Sequence, residues 1–321
     1  IATQASLASG GRTAGTVAVV NDHAVHREIE RKLEVDDDWS VPALPASIGT
    51  GRRLPRLVLT ATYYDTDDLR LARHRITLRR RTGGHDDGWH LKLPAAGDNE
   101  RDELQLPLST PGDPPLSLVW MVFGYTRGLP LTPVATLVNH RQPTTVTDAD
   151  GRELAEITDD RVTVDREGAP VTQFREVEVE AAAGRADADL EMLIKFVIST
   201  GARPGSFASK AVRALGPAAQ GPPDVGPLDG AALRRRVLAM QQADLAVRRG
   251  LPHAVEEFAA ALAEVRQVLR SPHQDLWREA GGVTEVLTRA QGAEGHAEFQ
   301  ALLREPRYVA LLDRLVAAAA E

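Results

Sequence analysis

The chain has 321 residues, of which 43% are hydrophobic and 26% are charged, and its formal net charge at pH 7 is −7. Two domains are the default expectation at this length, and the composition excludes a disordered chain and a fibrous repeat. The acidic balance gives no reason to expect nucleic acid as a partner, because binding to the phosphate backbone needs a basic surface. Since there is no cysteine, disulfide bonds and thiolate metal sites are excluded.

The longest uncharged apolar run, Leu116 to Tyr125, has about half of the roughly 20 residues that a membrane-spanning helix needs. The first stretch, Ile1 to Val20, lacks the basic-then-apolar order of a signal peptide. We therefore expect a cytoplasmic protein without membrane contact. Residues 1–24 are interpreted as a disordered or tag-like tail.

The region from Val25 to about Leu215 has the pattern of short strands separated by turn clusters, which is typical of a barrel or sandwich. Helical spacing interrupts this pattern in three places, predicted at residues 116–127, 188–201 and 209–215. The predicted strands cover residues 25–35, 56–65, 75–81, 89–93, 103–108, 134–141, 144–147, 153–158, 161–166 and 174–181.

A stretch rich in proline and glycine, Gly216 to Gly226, separates this region from a purely helical one. Helices are predicted at residues 233–248, 254–269 and 308–320, where apolar residues recur at helical spacing. The predicted organisation is a β-rich domain at 25–216, a linker at 217–229 and a helical domain at 230–321.

Charged residues alternate along several of the predicted strands. Glu28, Glu30 and Lys32 share one strand face, because alternate side chains of a strand point to the same side. Taken alone, such a face is usually solvated. The same spacing recurs on other predicted strands, so several strands are expected to direct charges to one place: Arg79, Arg81, Lys92, Glu176, Glu178 and Glu180.

Carboxylates that point into the interior of a barrel are costly to desolvate unless they form ion pairs or bind a metal cation. Hard divalent ions such as Mg²⁺ or Mn²⁺ take carboxylate oxygens, and arginine forks fit phosphate oxygens. Carboxylates with a metal on one side and a basic wall on the other are what a polyphosphate requires. The basic candidates are Arg79, Arg81, Lys92, Arg141, Lys210 and Arg213, although Lys210 and Arg213 by themselves are more typical of a solvent-facing helix turn than of a ligand site.

The segment Glu28-x-Glu30-x-Lys32 resembles the ExExK signature of the CYTH, or triphosphate tunnel metalloenzyme, superfamily. The resemblance covers about Val25 to Gly216. Further blocks that resemble this family follow in its order: Tyr63 to Thr66, Ile76 to Arg81, Trp89 to Pro94, Arg175 to Glu180, Ala202 to Pro204 and Ser209 to Leu215.

The resemblance implies an α+β fold with an eight-stranded antiparallel β tunnel, a closed barrel that takes a triphosphate lengthwise, followed by an all-α bundle. It also implies a role for each matching residue. Lys32 and Glu156 are the catalytic candidates, Glu156 by positioning a water molecule. The implied metal ligands are Glu28, Glu30, Glu178 and Glu180, with Glu176 as a further candidate. The implied phosphate-binding residues are Lys32, Arg79, Arg81, Lys92, Arg141, Lys210 and Arg213.

The helical region resembles, less specifically, a CHAD domain, a helical module associated with polyphosphate. Val247 to Val255 and Leu303 to Asp313 carry this likeness. A basic helix expected after His253 is missing, since Glu256 and Glu257 follow instead, so the sequence predicts a shortened or incomplete CHAD-like domain.

The leading hypothesis is therefore metal-dependent hydrolysis of inorganic triphosphate, with Mg²⁺ or Mn²⁺ as cofactor and phosphate and pyrophosphate as products. Two alternatives stay open. One is a protein that binds polyphosphate without turnover. The other is a hydrolase or cyclase acting on an organic triphosphate such as thiamine triphosphate or ATP.

Overall fold

A computed structural model describes residues 18–20, 23–95, 100–108, 112–166, 169–185, 187–207, 209–220, 228–270, 273–289 and 299–320. The strands are Ala18–Val20 (β1), His23–Glu34 (β2), Thr50–Arg53 (β3), Leu57–Asp65 (β4), Thr77–Thr82 (β5), Gly88–Pro94 (β6), Glu100–Leu106 (β7), Thr132–Thr147 (β8), Glu153–Arg166 (β9), Ala169–Ala181 (β10) and Arg203–Pro204 (β11). The helices are Arg70–Arg73 (α1), Leu116–Met121 (α2), Phe123–Thr126 (α3), Asp187–Ser199 (α4), Lys210–Leu215 (α5), Leu228–Arg249 (α6), Ala254–Leu269 (α7), Gln274–Arg289 (α8) and Pro306–Ala320 (α9).

Eight antiparallel strands close into a barrel. They are hydrogen-bonded in the order β2-β10-β9-β8-β4-β5-β6-β7, and pairing of β7 with β2 closes the ring. The short strands β1 and β11 extend along β2, while β3 extends along β8. The predicted fold class, an α+β chain with a closed antiparallel barrel followed by a helical region, is confirmed.

The apolar cores of the barrel lie mainly on its outside, because the strands turn their charged faces inward. Leu78, Leu91 and Leu104 pack beneath α2 and α3 on one outer face. On another outer face Val177 and Val179 pack beneath α4. Burying these faces requires helices against the barrel wall, which explains why short helices separate the strands in the sequence.

Helix α5 lies against one end of the lumen, where the inward residues change from charged to apolar. Its residues Ala211 and Val212 pack with Leu137 of β8 and Val162 and Val164 of β9. Ser209 caps the helix, since its side-chain oxygen accepts a hydrogen bond from the Val212 amide at 3.1 Å. Lys210 follows the cap directly and reaches into the charged part of the lumen.

Helices α6 to α9 bury a separate core that includes Phe258, Leu262, Phe299 and Leu315. This helical region contacts the barrel through α2 and α3, and Leu245 of α6 belongs to the core beneath those helices. None of the helices in the described ranges combines the length and apolarity needed to cross a membrane.

Several predicted elements differ from the observed ones. The predicted strands 134–141 and 144–147 form one strand, β8, which runs through Pro143. The carbonyl oxygen of Pro143 accepts a hydrogen bond from the Leu54 amide at 3.0 Å, in the gap between β3 and β4. The N–H and C=O of one residue in an antiparallel strand face the same neighbour, so the N–H that proline lacks would also have faced this gap and not β9. The ladder to β9 is therefore intact.

The predicted strands 153–158 and 161–166 also form one strand, β9, because Asp159 and Asp160 are neutralised in place and do not form a turn. The single helix predicted at 116–127 is divided into α2 and α3. Strand β3 and helix α8 were not predicted.

The predicted tail and linker lie mostly outside the described residues, which omit 1–17, 21–22 and 221–227. Within the predicted tail, Ala18–Val20 forms β1 and pairs with β2. The domain boundaries stay a prediction.

Candidate functional site

The register of neighbouring strands places the predicted acidic residues side by side in the lumen. Glu30 of β2 pairs with Glu180 of β10, and Glu180 pairs in turn with Glu156 of β9. Two residues further along β2, on the same strand face, Lys32 pairs with Glu178. The alternation read from the sequence therefore brings residues from distant segments to one wall of the barrel.

Next to α5, a buried ion-pair network joins β8, β9, β10 and the helix. Lys210 Nζ lies 2.9 Å from Asp160, 2.6 Å from Glu176 and 2.7 Å from Glu178. Arg141 donates from Nε and Nη2 to both oxygens of Asp160, at 2.8 and 2.7 Å, and lies 3.1 Å from Glu178. The Asp160 side chain is fully buried, and we call this set of ion pairs the deep network.

The charges of this network decide the protonation of its members. Burial by itself raises the pKa of Asp160 and of Glu178, but the nearby cations hold both pKa values below their usual range, Glu178 well below. Burial opposes the charged form of Lys210, yet its carboxylate partners, Asp160 first, raise its pKa well above the ordinary value. The charged forms of Asp160, Glu178 and Lys210 are therefore favoured.

A second set of contacts lies around Lys92 of β6. Lys92 Nζ is 2.5 Å from Glu28 and 3.9 Å from Glu103. Lys32 binds Glu30 and lies 3.4 Å from Glu178, which connects the two sets. The side chains of Glu28, Glu30, Lys32 and Lys92 are 11–17% exposed, so this part of the lumen is reached by solvent.

Three carboxyl groups are less well neutralised than the others. Burial raises the pKa of Glu28 to about 8, and the neighbouring Glu103, Glu180 and Glu30 add to the effect of burial. Burial likewise raises the pKa values of Glu176 and Glu180. In Glu30, the effect of burial is outweighed by the Lys32 ammonium group, which lowers the pKa. The acidic wall thus holds more carboxylate than the lysines can stabilise.

Arg79 and Arg81 of β5 form the opposite, basic wall. Arg79 donates to the Tyr63 hydroxyl at 3.3 Å and lies 3.8 Å from Glu103, while Arg81 binds Asp86. The Nε–H groups of both arginines are buried, and neither has a hydrogen-bond acceptor among the described residues. Burial and the neighbouring charge of Arg79 lower the pKa of Arg81 to about 10. Such unmet donors are suited to an anion.

Arg213 has a different environment from the other predicted phosphate ligands. Its guanidinium carbon lies 4.4 Å from the centre of the Phe174 ring and 5.3 Å from that of Phe207. Its Nη1 is 3.8 Å from Glu176. Arg213 therefore borders the deep network from the side of α5.

The structure adds residues that sequence reasoning missed: Glu103, Asp160, Tyr63 and His90. The ring nitrogens of His90 lie 2.9 Å from Glu103 Oε1 and 2.9 Å from the Asp86 carbonyl oxygen. His90 shares the inward face of β6 with Lys92. Glu103 pairs in register with Lys92, a signal that becomes visible only once the two strands are known to be neighbours.

The lumen fits a hard divalent cation by its donor chemistry, since its acidic wall offers carboxylate oxygens in excess of its lysines. Among the described residues, however, no three acidic or histidine side chains form a ready-made metal cluster. The ammonium groups of Lys32, Lys92 and Lys210 stand between the carboxylates instead.

A family model described as "CYTH domain" matches residues 26–213. Two uncharacterized proteins from two strains of Mycobacterium tuberculosis are each 33% identical over 315 residues, covering 91% of this chain and 61% of their own length. The chain thus spans less than two thirds of these curated relatives.

The chain is also similar to solved structures. A proposed adenylate cyclase from Bacillus halodurans is 18% identical, covers 59% of this chain and 97% of its own, and has a TM-score of 0.39. The Hippeastrum protein HpAC1, a proposed adenylyl cyclase with a dominant triphosphatase activity, is 14% identical with a TM-score of 0.35, covering 60% of this chain and 98% of its own. Likeness at this level carries no argument about activity.

Proposed function

Since this chain belongs to the CYTH family, we propose that it is a metal-dependent hydrolase that cleaves inorganic triphosphate inside its barrel, releasing phosphate and pyrophosphate. The observation that carries the proposal is the lumen itself, where an acidic wall faces buried arginines and lysines. A linear anion with several charges suits the basic wall directly and the acidic wall through a cation held by the carboxylates.

The basic side chains would bind the phosphate oxygens. Arg79 and Arg81 supply buried Nε–H groups that have no acceptor among the described residues. The guanidinium group of Arg141 binds both oxygens of the Asp160 carboxylate, a geometry that also fits a phosphate group. Fixed guanidinium groups of this kind stabilise the charge that spreads over the phosphoryl oxygens during transfer. Lys32, Lys92, Lys210 and Arg213 complete the proposed set.

The acidic wall would hold Mg²⁺ or Mn²⁺ through Glu28, Glu30, Glu178 and Glu180, with Glu176 as a further candidate. When bound, the ion supplies Lewis-acid stabilisation of phosphate oxygens. Lys32 and Lys92, which neutralise Glu30 and Glu28 in the ligand-free lumen, would then turn to the phosphate oxygens. Glu28 and Glu30 would then be neutralised by the cation that they hold, and Lys32 and Lys92 by the negative charge of the substrate.

In the hydrolytic step, a water oxygen forms a bond to the terminal phosphorus, and the bond from that phosphorus to the bridging oxygen breaks. Pyrophosphate leaves with the electron pair, and the water proton passes to a carboxylate. We assign this proton transfer to Glu156, which lies beside Glu180 in the register of β9 and β10 and is half-buried in the lumen.

An inorganic substrate is favoured over an organic one by the end of the lumen that α5 closes. Phe174 and Phe207, aromatic rings that lie at this end, are both stacked by Arg213. One face of each ring is therefore engaged by a protein cation, and Leu137 and Val162 pack with α5 at this end.

Phosphate release from tripolyphosphate with Mg²⁺ or Mn²⁺ tests the proposal. We expect turnover by the wild type and a loss of about 100-fold or more in Glu28→Gln, because removing a metal ligand removes charge stabilisation in the transition state. Arg236→Met, which alters an exposed ion pair with Glu264 on α6 and α7, is the matched control and keeps the wild-type rate.

Equal rates for the wild type and Glu28→Gln would overturn the proposed site. ATP and thiamine triphosphate in the same assay would identify an organic substrate by faster turnover. Calorimetric binding of tripolyphosphate without phosphate release would instead identify a binding protein.

A further inference from the structure

Arg249, the last residue of α6, reaches from the helical region to the strand pair that closes the barrel. Its Nη2 donates to Asp102 Oδ2 at 2.8 Å. Both side chains are nearly excluded from solvent, at 9% and 8% exposure. An ion pair this well buried between two parts of the chain is held in a fixed geometry.

The other oxygen of Asp102 binds β2. Arg27 Nε donates to Asp102 Oδ1 at 2.5 Å, and Arg27 and Asp102 are register partners on β2 and β7. Asp102 therefore joins Arg27 and Arg249 on the outer face of the β2–β7 pair. We call these three residues the seam clamp.

The inner face of the same strand pair carries two residues of the lumen. Glu28 and Glu103 follow Arg27 and Asp102 in the sequence, so their side chains point to the opposite side. Glu28 binds Lys92 at 2.5 Å, while Glu103 contacts His90 at 2.9 Å. A displacement of the backbone at Arg27 or Asp102 is therefore passed directly to the lumen.

The position of Glu28 depends on β7 more than on β10. In the register of the described strands, Arg27, Glu28 and Ile29 pair with β7, whereas the pairing of β2 with β10 begins at Glu30. The stretch of β2 that carries Glu28 is thus fixed from the side where Asp102 lies.

We propose that Arg249 is a positioning residue for the lumen: by holding Asp102, and Arg27 through it, Arg249 fixes the strand pair from which Glu28 enters the metal and phosphate site. This inference rests on the proposed function for the role of Glu28, but not for the mechanical link itself. It makes the helical region part of the working site, although none of its residues lines the lumen in the described ranges.

The mechanical link is tested by hydrogen exchange of the full-length protein without ligand. In Arg249→Met, we expect the amides of residues 27–29 and 100–103 to exchange about tenfold faster, because the ion pair that restrains local opening is lost. Arg249→Lys restores part of the protection, since a lysine keeps the charge but not the planar fork. Arg236→Met, on the same helix, leaves exchange of the amides of residues 27–29 and 100–103, which we call the seam, unchanged.

The functional consequence is tested by Mn²⁺ binding followed by calorimetry. Arg249→Met is expected to raise the dissociation constant about tenfold, as removal of residues that orient metal ligands commonly does. In a Glu28→Gln background the same change is expected to add nothing, because Arg249 acts through Glu28. If Arg249→Met is too unstable to purify, Asp102→Asn tests the same link from its other end.

Unchanged hydrogen exchange at the seam in a folded Arg249→Met or Asp102→Asn variant would overturn the inference. Additive effects of Arg249→Met and Glu28→Gln on the free energy of Mn²⁺ binding would also overturn it. Failure of the proposed function gives a different result. In that case the wild type releases no phosphate from tripolyphosphate, while the exchange experiment still decides whether Arg249 fixes the seam.

Discussion

Arg141 and Asp160 face each other on neighbouring strands and bind in a two-pronged geometry, with Nε–Oδ1 and Nη2–Oδ2 distances of 2.8 and 2.7 Å. Lys210 approaches the same carboxylate at 2.9 Å from α5. One fully buried carboxylate therefore binds two of the cations to which we assign phosphate binding.

Asp160→Asn is expected to lower the free energy of unfolding by about 3 to 5 kcal/mol, because it removes the fully buried carboxylate that binds both Arg141 and Lys210 and leaves their charges to Glu176 and Glu178. Urea unfolding followed by circular dichroism measures the change. Asp150→Asn, in a solvent-exposed pair with Arg152, is the control and is expected to have little effect. A similar small effect for both variants would show that the deep network does not support the fold.

The alternation along β5 predicts opposite results for neighbouring arginines. Arg79 shares the lumen face with Arg81, whereas Arg80 lies on the other face of the strand. Arg79→Met is expected to weaken tripolyphosphate binding about 10- to 100-fold, the usual cost of a lost hydrogen bond between charged groups. Arg80→Met is expected to change it less than about twofold. Equal losses in calorimetric titrations would contradict the assignment of faces.

The contact between the barrel-side helices and the helical region depends on a glycine. A Cβ atom added to Gly124 of α3 would come within 3.0 Å of the carboxylate of Asp244 on α6. Asp244 cannot move aside easily, because it binds Arg248 at 2.6 Å and the Tyr308 hydroxyl at 2.9 Å.

We therefore expect Gly124→Ala to destabilise the protein by about 1 to 3 kcal/mol through overpacking. Gly282→Ala is the matched control, since its added Cβ meets open space within α8 and an alanine favours the helix by about 0.5 to 1 kcal/mol. Thermal unfolding of the two variants should shift in opposite directions. A stable Gly124→Ala variant would mean that α3 and α6 do not approach each other this closely.

His74 gives the fold a predictable response to pH. Burial lowers the pKa of this imidazole, and the positive charges of Arg127, Arg73 and Arg70 act in the same direction. Above the ordinary pKa of about 6.5, the folded and unfolded states are both neutral at this position, so its contribution to stability is complete. Below that value the unfolded chain binds a proton that the folded protein resists, and stability is lost as pH falls toward the lowered pKa.

The expected slope from this residue is at most about 1.4 kcal/mol per pH unit. Urea unfolding at pH 7.5 and 5.5 should show a smaller loss of stability for His74→Gln than for the wild type. His85→Gln, in the exposed turn between β5 and β6, should keep the wild-type loss. If His74→Gln and the wild type lose the same amount, titration of His74 does not govern this pH range.

The period-two spacing of charge predicted that several strands direct their charged side chains to one place, whereas the closed eight-stranded barrel was implied by the resemblance to the CYTH family. Glu28, Glu30 and Lys32 were found in this way, because a strand's faces can be read from the sequence when charge alternates with apolar residues. Asp160 was missed because two adjacent aspartates resemble a turn, and what keeps them in a strand is Arg141, 19 positions from Asp160, together with Arg175, 16 positions from Asp159. Such compensation between distant residues is not visible in a local pattern.

Helix α8 was missed for a different reason. Gly281 and Gly282 lie in its middle, and glycine disfavours an isolated helix. Packing of Leu276, Ala280 and Val283 into the core of the helical region outweighs that cost. The likeness of this region to a CHAD domain, its association with polyphosphate and the cytoplasmic location stay predictions from the sequence.

The ion pairs between the acidic wall and the lysines have a consequence for the catalytic cycle. An anion that enters this lumen competes with the protein's own carboxylates for each ammonium group. Under the proposed function, a triphosphate would compete better than the shorter fragments left after cleavage, because it carries more negative charge. Glu28, Glu30 and Glu176 would then pair again with Lys92, Lys32 and Lys210. Renewed pairing would favour release of the products and return the site to its state before substrate binding.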